Sequence, residues 1–279
     1  MSIIVEHGFD ISGLLKDRPK APVVGTRYFP TDVGDQFVYN GAFWQPQRSL
    51  SRRTSRLWIA GERGKPSLNA DIQNAAESTR MIADPDFEVL GTNMTSALST
   101  FNAEGGINLT TAGADNDQAI LLPHLDANQS SWTSWTWGSD KASYWMLRFK
   151  TGASIAAAII WAGLKLTNTP TTATDNDQAF FRYQNGVNSG RFQAIYSIDG
   201  TDSANDSGVT VAAATEYVLE VAIDASRIAR FFINNTLVLT STALKDATDF
   251  IPYLGVQASG AAGAKAVTVY GQYISRTSG

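Results

Sequence analysis

Residues 216–242 read E-Y-V-L-E-V-A-I-D-A-S-R-I-A-R-F-F-I-N-N-T-L-V-L-T-S-T, and this stretch decides the fold class. Tyr217, Leu219, Val221 and Ile223 alternate with Glu216, Val218, Glu220 and Ala222. Side chains on a strand point to opposite faces in turn, so this spacing predicts a strand with one face on a core. Asn234-Asn235 then separates two further apolar runs, as a tight hairpin turn requires. The same period of two recurs at Trp145, Leu147 and Phe149 and at Phe192, Ala194, Tyr196 and Ile198. The apolar run 155–164 reads as a buried strand. Clusters such as Asp199-Gly200 and residues 205–208 and 259–263 punctuate the strands. Many short antiparallel strands at this spacing predict an all-β jelly-roll sandwich over residues 87–279.

Upstream, residues 1–24 predict an extended arm that docks on a neighbouring surface, because it holds too few apolar residues to fold alone. Residues 25–47 predict a small meander with strands near 27–29, 36–39 and 43–45, Asn40-Gly41 forming a type I′ hairpin turn. Tyr28, Phe29, Phe37, Tyr39, Phe43 and Trp44 then need a covering surface. Residues 48–86 read as a basic connector, with a short helix over 67–82 capped by Ser67 and ended by Pro85.

Composition narrows the chemistry. There is no cysteine, which excludes disulfides and thiolate metal sites. Net charge is −4, yet Arg48, Arg52, Arg53, Arg56, Arg63 and Lys65 face only Glu62 within residues 48–65, a local excess fit for an acidic partner surface. No run approaches the ~18 apolar residues that span a bilayer, so no membrane partner is expected. No basic leader precedes a long apolar core at the start, which predicts no signal peptide.

No catalytic set is expected. Glu216 and Glu220 share a face, which solvation explains. The only histidines, His7 and His124, are far apart in the chain, and no G-x-S-x-G occurs. Asp115/Asp117 and Asp175/Asp177 offer paired carboxylates that would suit calcium if the two loops met, although Asp and Asn also favour the turns that precede strands. The pentapeptide D-N-D-Q-A occurs at both places, 115–119 and 175–179. Trp132, Trp135 and Trp137 suit either sugar stacking or an interface. No cofactor is expected, and no phosphate-binding loop is present.

Two resemblances sharpen this reading. The pattern 25–44, G-T-R-Y-F-x-T-D-x-G-x-x-F-V-Y-N-G-x-F-W, resembles a small hairpin module of tailed-phage structural proteins. Residues 216–242, followed by I-P-Y-L-G-V-Q-A-S-G-A-A-G-A-K-A-V-T-V-Y-G-Q-Y-I-S at 251–275, resemble the late strands of concanavalin A-like lectin/glucanase sandwiches. The first resemblance implies a virion protein on the phage head surface, made in the host cytoplasm. It would be a capsid decoration or cement protein that grips the major capsid protein and forms a homo-oligomer such as a trimer, with no specific nucleic-acid partner. The second implies the alternative, a tail-fibre or receptor-binding protein with a lectin-like sandwich. The glucanase carboxylate pattern E-x-D-x-x-E is missing among the seven glutamates, so no enzyme is expected.

Overall fold

A computed structural model describes residues 10–32, 35–47, 53–59, 65–68, 83–103, 105–123, 141–167, 176–245, 250–260 and 263–277. The strands are β1 Asp10–Gly13, β2 Arg27–Pro30, β3 Gln36–Tyr39, β4 Trp44–Gln47, β5 Arg53–Ile59, β6 Lys65–Leu68 and β7 Ala83–Leu90. They continue as β8 Ser99–Phe101, β9 Ile107–Thr110, β10 Gln118–Pro123, β11 Ser143–Thr151, β12 Ala158–Lys165, β13 Gln178–Gln184 and β14 Arg191–Ile198. The last six are β15 Thr201–Thr210, β16 Glu216–Ile223, β17 Ile228–Ile233, β18 Thr236–Ala243, β19 Ile251–Ala258 and β20 Ala266–Thr277. Among the described residues there is no α-helix.

Three sheets form. The first large sheet runs β18-β17-β16-β11-β20-β9-β8, with β5 also paired to β20; the second runs β15-β14-β13-β12-β19-β10-β7-β6. The third, β1-β2-β3-β4, is small. Among the described strands, the β1–β2 and β6–β7 pairs are parallel and the rest antiparallel. The predicted sandwich is therefore present, and the alternating apolar residues build its core. Trp145, Leu147, Phe149, Tyr217, Leu219 and Val221 from one sheet meet Ile160, Leu164, Phe181 and Phe192 from the other. Phe181 packs edge-on to Phe231 at 5.5 Å and Phe192 edge-on to Tyr217 at 5.1 Å, so aromatic contacts bridge the two layers.

The small sheet is a lid on the outer face of the first large sheet. Tyr28, Phe37, Tyr39, Phe43 and Trp44 pack on Tyr144, Met146, Val218, Ala222, Phe232 and Tyr273. The surface that these aromatics need is thus supplied by the same chain, and residues 10–24, expected to reach a neighbour, contribute Leu15 and Arg18 to this seam. Meander strands lie where the sequence predicts them. The turn after β3 differs: Tyr39 pairs with Trp44, leaving a four-residue loop. Asn40 Oδ1 accepts from Ala42 N and Phe43 N, both at 3.0 Å, so the Asn40 side chain organises the loop in place of a type I′ backbone.

The stretch read as a connector contributes β5 and β6 to the two large sheets. Ser67 and Leu68, the expected helix start, end strand β6 instead, paired with Glu88 and Val89. Sheet pairing outweighed the capping signal there. The rest of the expected helix lies outside the described residues.

Candidate functional site

Of the two outer faces of the sandwich, the first is sealed by the small sheet. The second large sheet presents the other, and its register fixes what meets there. Trp161 on β12 lies between Gly255 on β19 and Arg182 on β13, and Arg182 lies beside Gln193 on β14. The neighbouring row runs Gln118, Gln257, Ile159, Gln184 across β10, β19, β12 and β13. Ile120, Leu122, Trp161, Phe180, Ile195 and Tyr253 share this face with the polar groups and form its buried apolar floor.

Two glycines make the floor flat. A Cβ at Gly255 would stand 2.1–2.5 Å from the Trp161 ring, so the indole lies directly on the β19 backbone. Gly163 has φ +146°, and a Cβ there would be 2.5 Å from the Phe180 Cα. The Trp161 Nε1 is buried without an acceptor among the described residues.

The polar rows are organised. Arg182 donates from Nε and Nη2 to Gln193 Oε1 at 3.3 and 3.0 Å. Burial lowers the Arg182 guanidinium from its ordinary value, while the Asp202 charge acts the other way. Gln118 Nε2 donates to Gln257 Oε1 at 2.8 Å, and Gln257 Nε2 donates to Asn116 Oδ1 at 2.9 Å. At the far end of the face, buried Lys165 donates to Gln178 Oε1 at 2.5 Å and sits 4.2 Å above the Phe180 ring. Gln178 Nε2 donates to Ser197 Oγ at 2.6 Å, and Ser197 donates on to Asp202 at 2.5 Å. The repeated D-N-D-Q-A thus delivers a glutamine to this face at both of its occurrences.

The candidates from sequence fare differently. Asp117 and Asp177 are brought to opposite ends of the second large sheet. Asp117 O accepts from Ala258 N at one end of β19, whereas Gln178, next to Asp177, bonds Lys165, which pairs with Ile251 at the other. The ends are seven residues apart on β19, about 23 Å. Asp117 and Asp177 therefore cannot share a calcium ion. Asp117 instead accepts from Asn93 Nδ2 and Ala114 N, both at 2.6 Å; Asp115 accepts from Gly260 N at 2.5 Å and Asp177 from Lys245 N at 3.0 Å. These are loop-closing roles. Asp175 lies outside the described residues, as do Trp132, Trp135, Trp137, His7 and His124.

The basic stretch is not one loop. Arg53 and Arg56 lie on β5, opposite Thr277 and Ile274, and Lys65 opens β6 opposite Ala83. Arg48, Arg52 and Arg63 lie outside the described residues. Glu216 and Glu220 do not share a solvated face either. Glu216 bonds Arg148 at the rim, while Glu220 is fully buried under the small sheet against Arg18 and Tyr144.

Arg182, Gln184, Gln193, Gln257 and Trp161 have no signature in the sequence. Alternation says which residues share a face of one strand, but not which strands are neighbours.

No protein-family model and no curated protein matches the sequence. Solved structures do match in fold. A protein of unknown function from Shewanella oneidensis MR-1 is 10% identical at TM-score 0.54, covering 82% of this chain and 89% of that one. The carbohydrate recognition domain of Emp47p is 8% identical at TM-score 0.52, covering 83% and 100%. The fold is therefore a concanavalin A-like jelly-roll sandwich. The alginate lyase AlgAT5 of polysaccharide lyase family 7 also matches, at 10% identity and TM-score 0.48 over 70% and 95%. The expectation of no enzyme is corrected on the ground of fold alone: a sandwich of this kind hosts binding proteins and enzymes alike, so the fold leaves catalysis open. The missing E-x-D-x-x-E excludes one carboxylate layout and nothing wider.

Proposed function

We propose that the chain binds carbohydrate across the outer face of the second large sheet. One observation carries this: two adjacent rows of planar polar side chains, Arg182 with Gln193 and Gln118 with Gln257, beside buried aromatic residues of the same face. Sugar hydroxyls both donate and accept, and carboxamides and guanidinium forks meet them in kind. Gln193 engages its carbonyl with Arg182, which orients its amide hydrogens as donors. The Emp47p likeness agrees with this reading at the level of fold only.

A glycan array followed by calorimetry on the best hit tests it. Arg182→Ala with Gln193→Ala should weaken binding at least about tenfold, since each lost bond to a charged group is worth ~1.5–3 kcal/mol. No hit on the array, or a hit insensitive to both changes, overturns the proposal. Sizing the polysaccharide after incubation separates binding from cleavage.

The setting is a proposal of its own. Residues 25–44 keep their likeness to a phage hairpin module, which supports a virion protein, either a head decoration protein bound to the major capsid protein or a receptor-binding fibre. Deleting residues 1–65 would remove the small sheet and β5 and so unfold the sandwich seam. Charge reversal at Arg48, Arg52 and Arg63 with a shell-attachment assay is the sounder test; unchanged attachment counts against the decoration role.

A further inference from the structure

The geometry points to a second ligand site at the seam between the small sheet and the first large sheet, shaped for one uncharged sugar ring. It lies on the opposite side of the sandwich from the face described above.

A cleft of about 150 Å³ opens there, lined by Asn40, Phe43, Gln45, Met146, Arg148 and Tyr270. Among these, the Arg148 guanidinium stands 4.9 Å from the Phe43 ring and 4.7 Å from the Tyr270 ring. Phe43 comes from the small sheet and Tyr270 from the sandwich, so neither unit forms the stack alone. Tyr270 gets there by a β-bulge. Arg148 pairs with Gly271 and Phe149 with Val269, leaving Tyr270 as the extra residue. Bulges re-aim side chains in this way.

Arg148 is held as well as stacked. Its Nε donates to Glu216 Oε1 at 2.6 Å and its Nη2 to Glu216 Oε2 at 3.1 Å. This fork leaves the Nη1 hydrogens without an acceptor among the described residues, at a side chain 34% exposed. Asn40 commits its oxygen to the loop, so its amide hydrogens are the part offered to a ligand. Gln45 is exposed and adds both a donor and an acceptor. A second hollow of about 280 Å³, which Phe43 also lines, is bordered by Glu216 and Asn234.

The ligand class follows from charge and size. Among the described residues, the charged groups lining the two hollows are Arg148 and Glu216, and they neutralise each other. A net anion or cation would meet no compensating charge. A ligand with hydroxyls can take the outward donors and the carboxylate edge, and lay an apolar face on Phe43 and Met146. The volume is below the ~300 Å³ of larger ligand pockets, which limits the occupant to one small ring.

Saturation-transfer NMR with the whole chain tests this, using D-glucose, D-galactose and methyl α-D-mannoside, with D-glucuronate as a charged control. At least one neutral sugar should bind, with millimolar affinity. Gln45→Ala, at an exposed position, should weaken it roughly threefold, and Arg148→Lys about tenfold, because an ammonium cannot hold the fork to Glu216 and donate outward together. Arg182→Ala with Gln193→Ala should leave it unchanged. No transfer to any neutral sugar, transfer indifferent to both seam changes, loss on the Arg182/Gln193 change, or tighter binding of glucuronate would each overturn the seam site. The third outcome would assign the sugar to the opposite face; the others leave the array result for that face as it stands.

Discussion

Arg18 and Glu220, 202 positions apart in the chain, form a buried fork that joins the small sheet to the sandwich. Arg18 Nη2 donates to both Glu220 oxygens at 2.8 and 2.7 Å. Tyr144 donates its hydroxyl to the same carboxylate at 2.5 Å. The guanidinium stands 5.0 Å from the Phe37 ring and 5.8 Å from the Trp44 ring, so the charge is caged by aromatics of the small sheet. Both side chains are almost fully buried.

A pair held this way is costly to break from one side. Arg18→Met should destabilise the chain by about 3–5 kcal/mol, because it leaves the Glu220 charge buried alone. Adding Glu220→Leu should recover most of that loss. Urea unfolding of the two variants checks this, and equal stability of single and double changes would refute the role given to the pair.

Alkaline pH should act on Tyr144. Burial, and next the Glu220 charge, raises its phenol well above the ordinary value of 10. The folded state therefore holds this proton more tightly than the unfolded chain does. Its stabilising contribution is complete below about pH 10 and is lost as pH rises toward the folded-state value. Unfolding measured from pH 8 to 11.5 should show stability falling above about pH 10, and Tyr144→Phe should flatten that slope.

Gly255→Ala should be destabilising at a buried site that accepts no Cβ, by about 1–3 kcal/mol. The added carbon meets the Trp161 ring, not a flexible chain end. Trp161→Leu in the same chain should remove the clash and narrow the gap to Trp161→Leu alone. Thermal melts of the three variants decide it.

Chelation should leave the melting temperature where it is, whereas Asp117→Ala should lower stability by roughly 1–3 kcal/mol. The Asp117 carboxylate accepts two hydrogen bonds and is buried, so removing it orphans Asn93 Nδ2 and Ala114 N. A melt that drops with EDTA would show that the aspartate loops hold metal after all.

The Asn234-Asn235 turn is the clearest case of a structure legible in the sequence. Both residues have positive φ, +48° and +63°, and Ile233 pairs directly with Thr236, the geometry of a two-residue turn. Asn234→Ala should cost about 1–2 kcal/mol, since it also removes the acceptor for Val218 N at 2.9 Å, and Asn235→Gly should be neutral or better. Denaturant midpoints measure both. Asn40-Gly41 carries an equally strong signal and forms a different loop. There Thr26, Trp44 and Pro19 hold the neighbouring chain, with Tyr39 N on Thr26 O and the Trp44 indole on Pro19 O, so packing set the loop length.

What the sequence by itself determined about this protein is which side of each strand meets the core. Trp145, Phe192 and Tyr217 lie inside the sandwich because period two is a local property of extended chain. What only the tertiary structure decided is which strands are neighbours. That choice set Arg18 against Glu220, Arg182 against Gln193, and Arg148 between Phe43 and Tyr270. It also moved Asp117 and Asp177 apart despite their identical local sequences. Such pairs are joined across sheets and between layers, where contact depends on strand order and register, and no spacing along the chain encodes either.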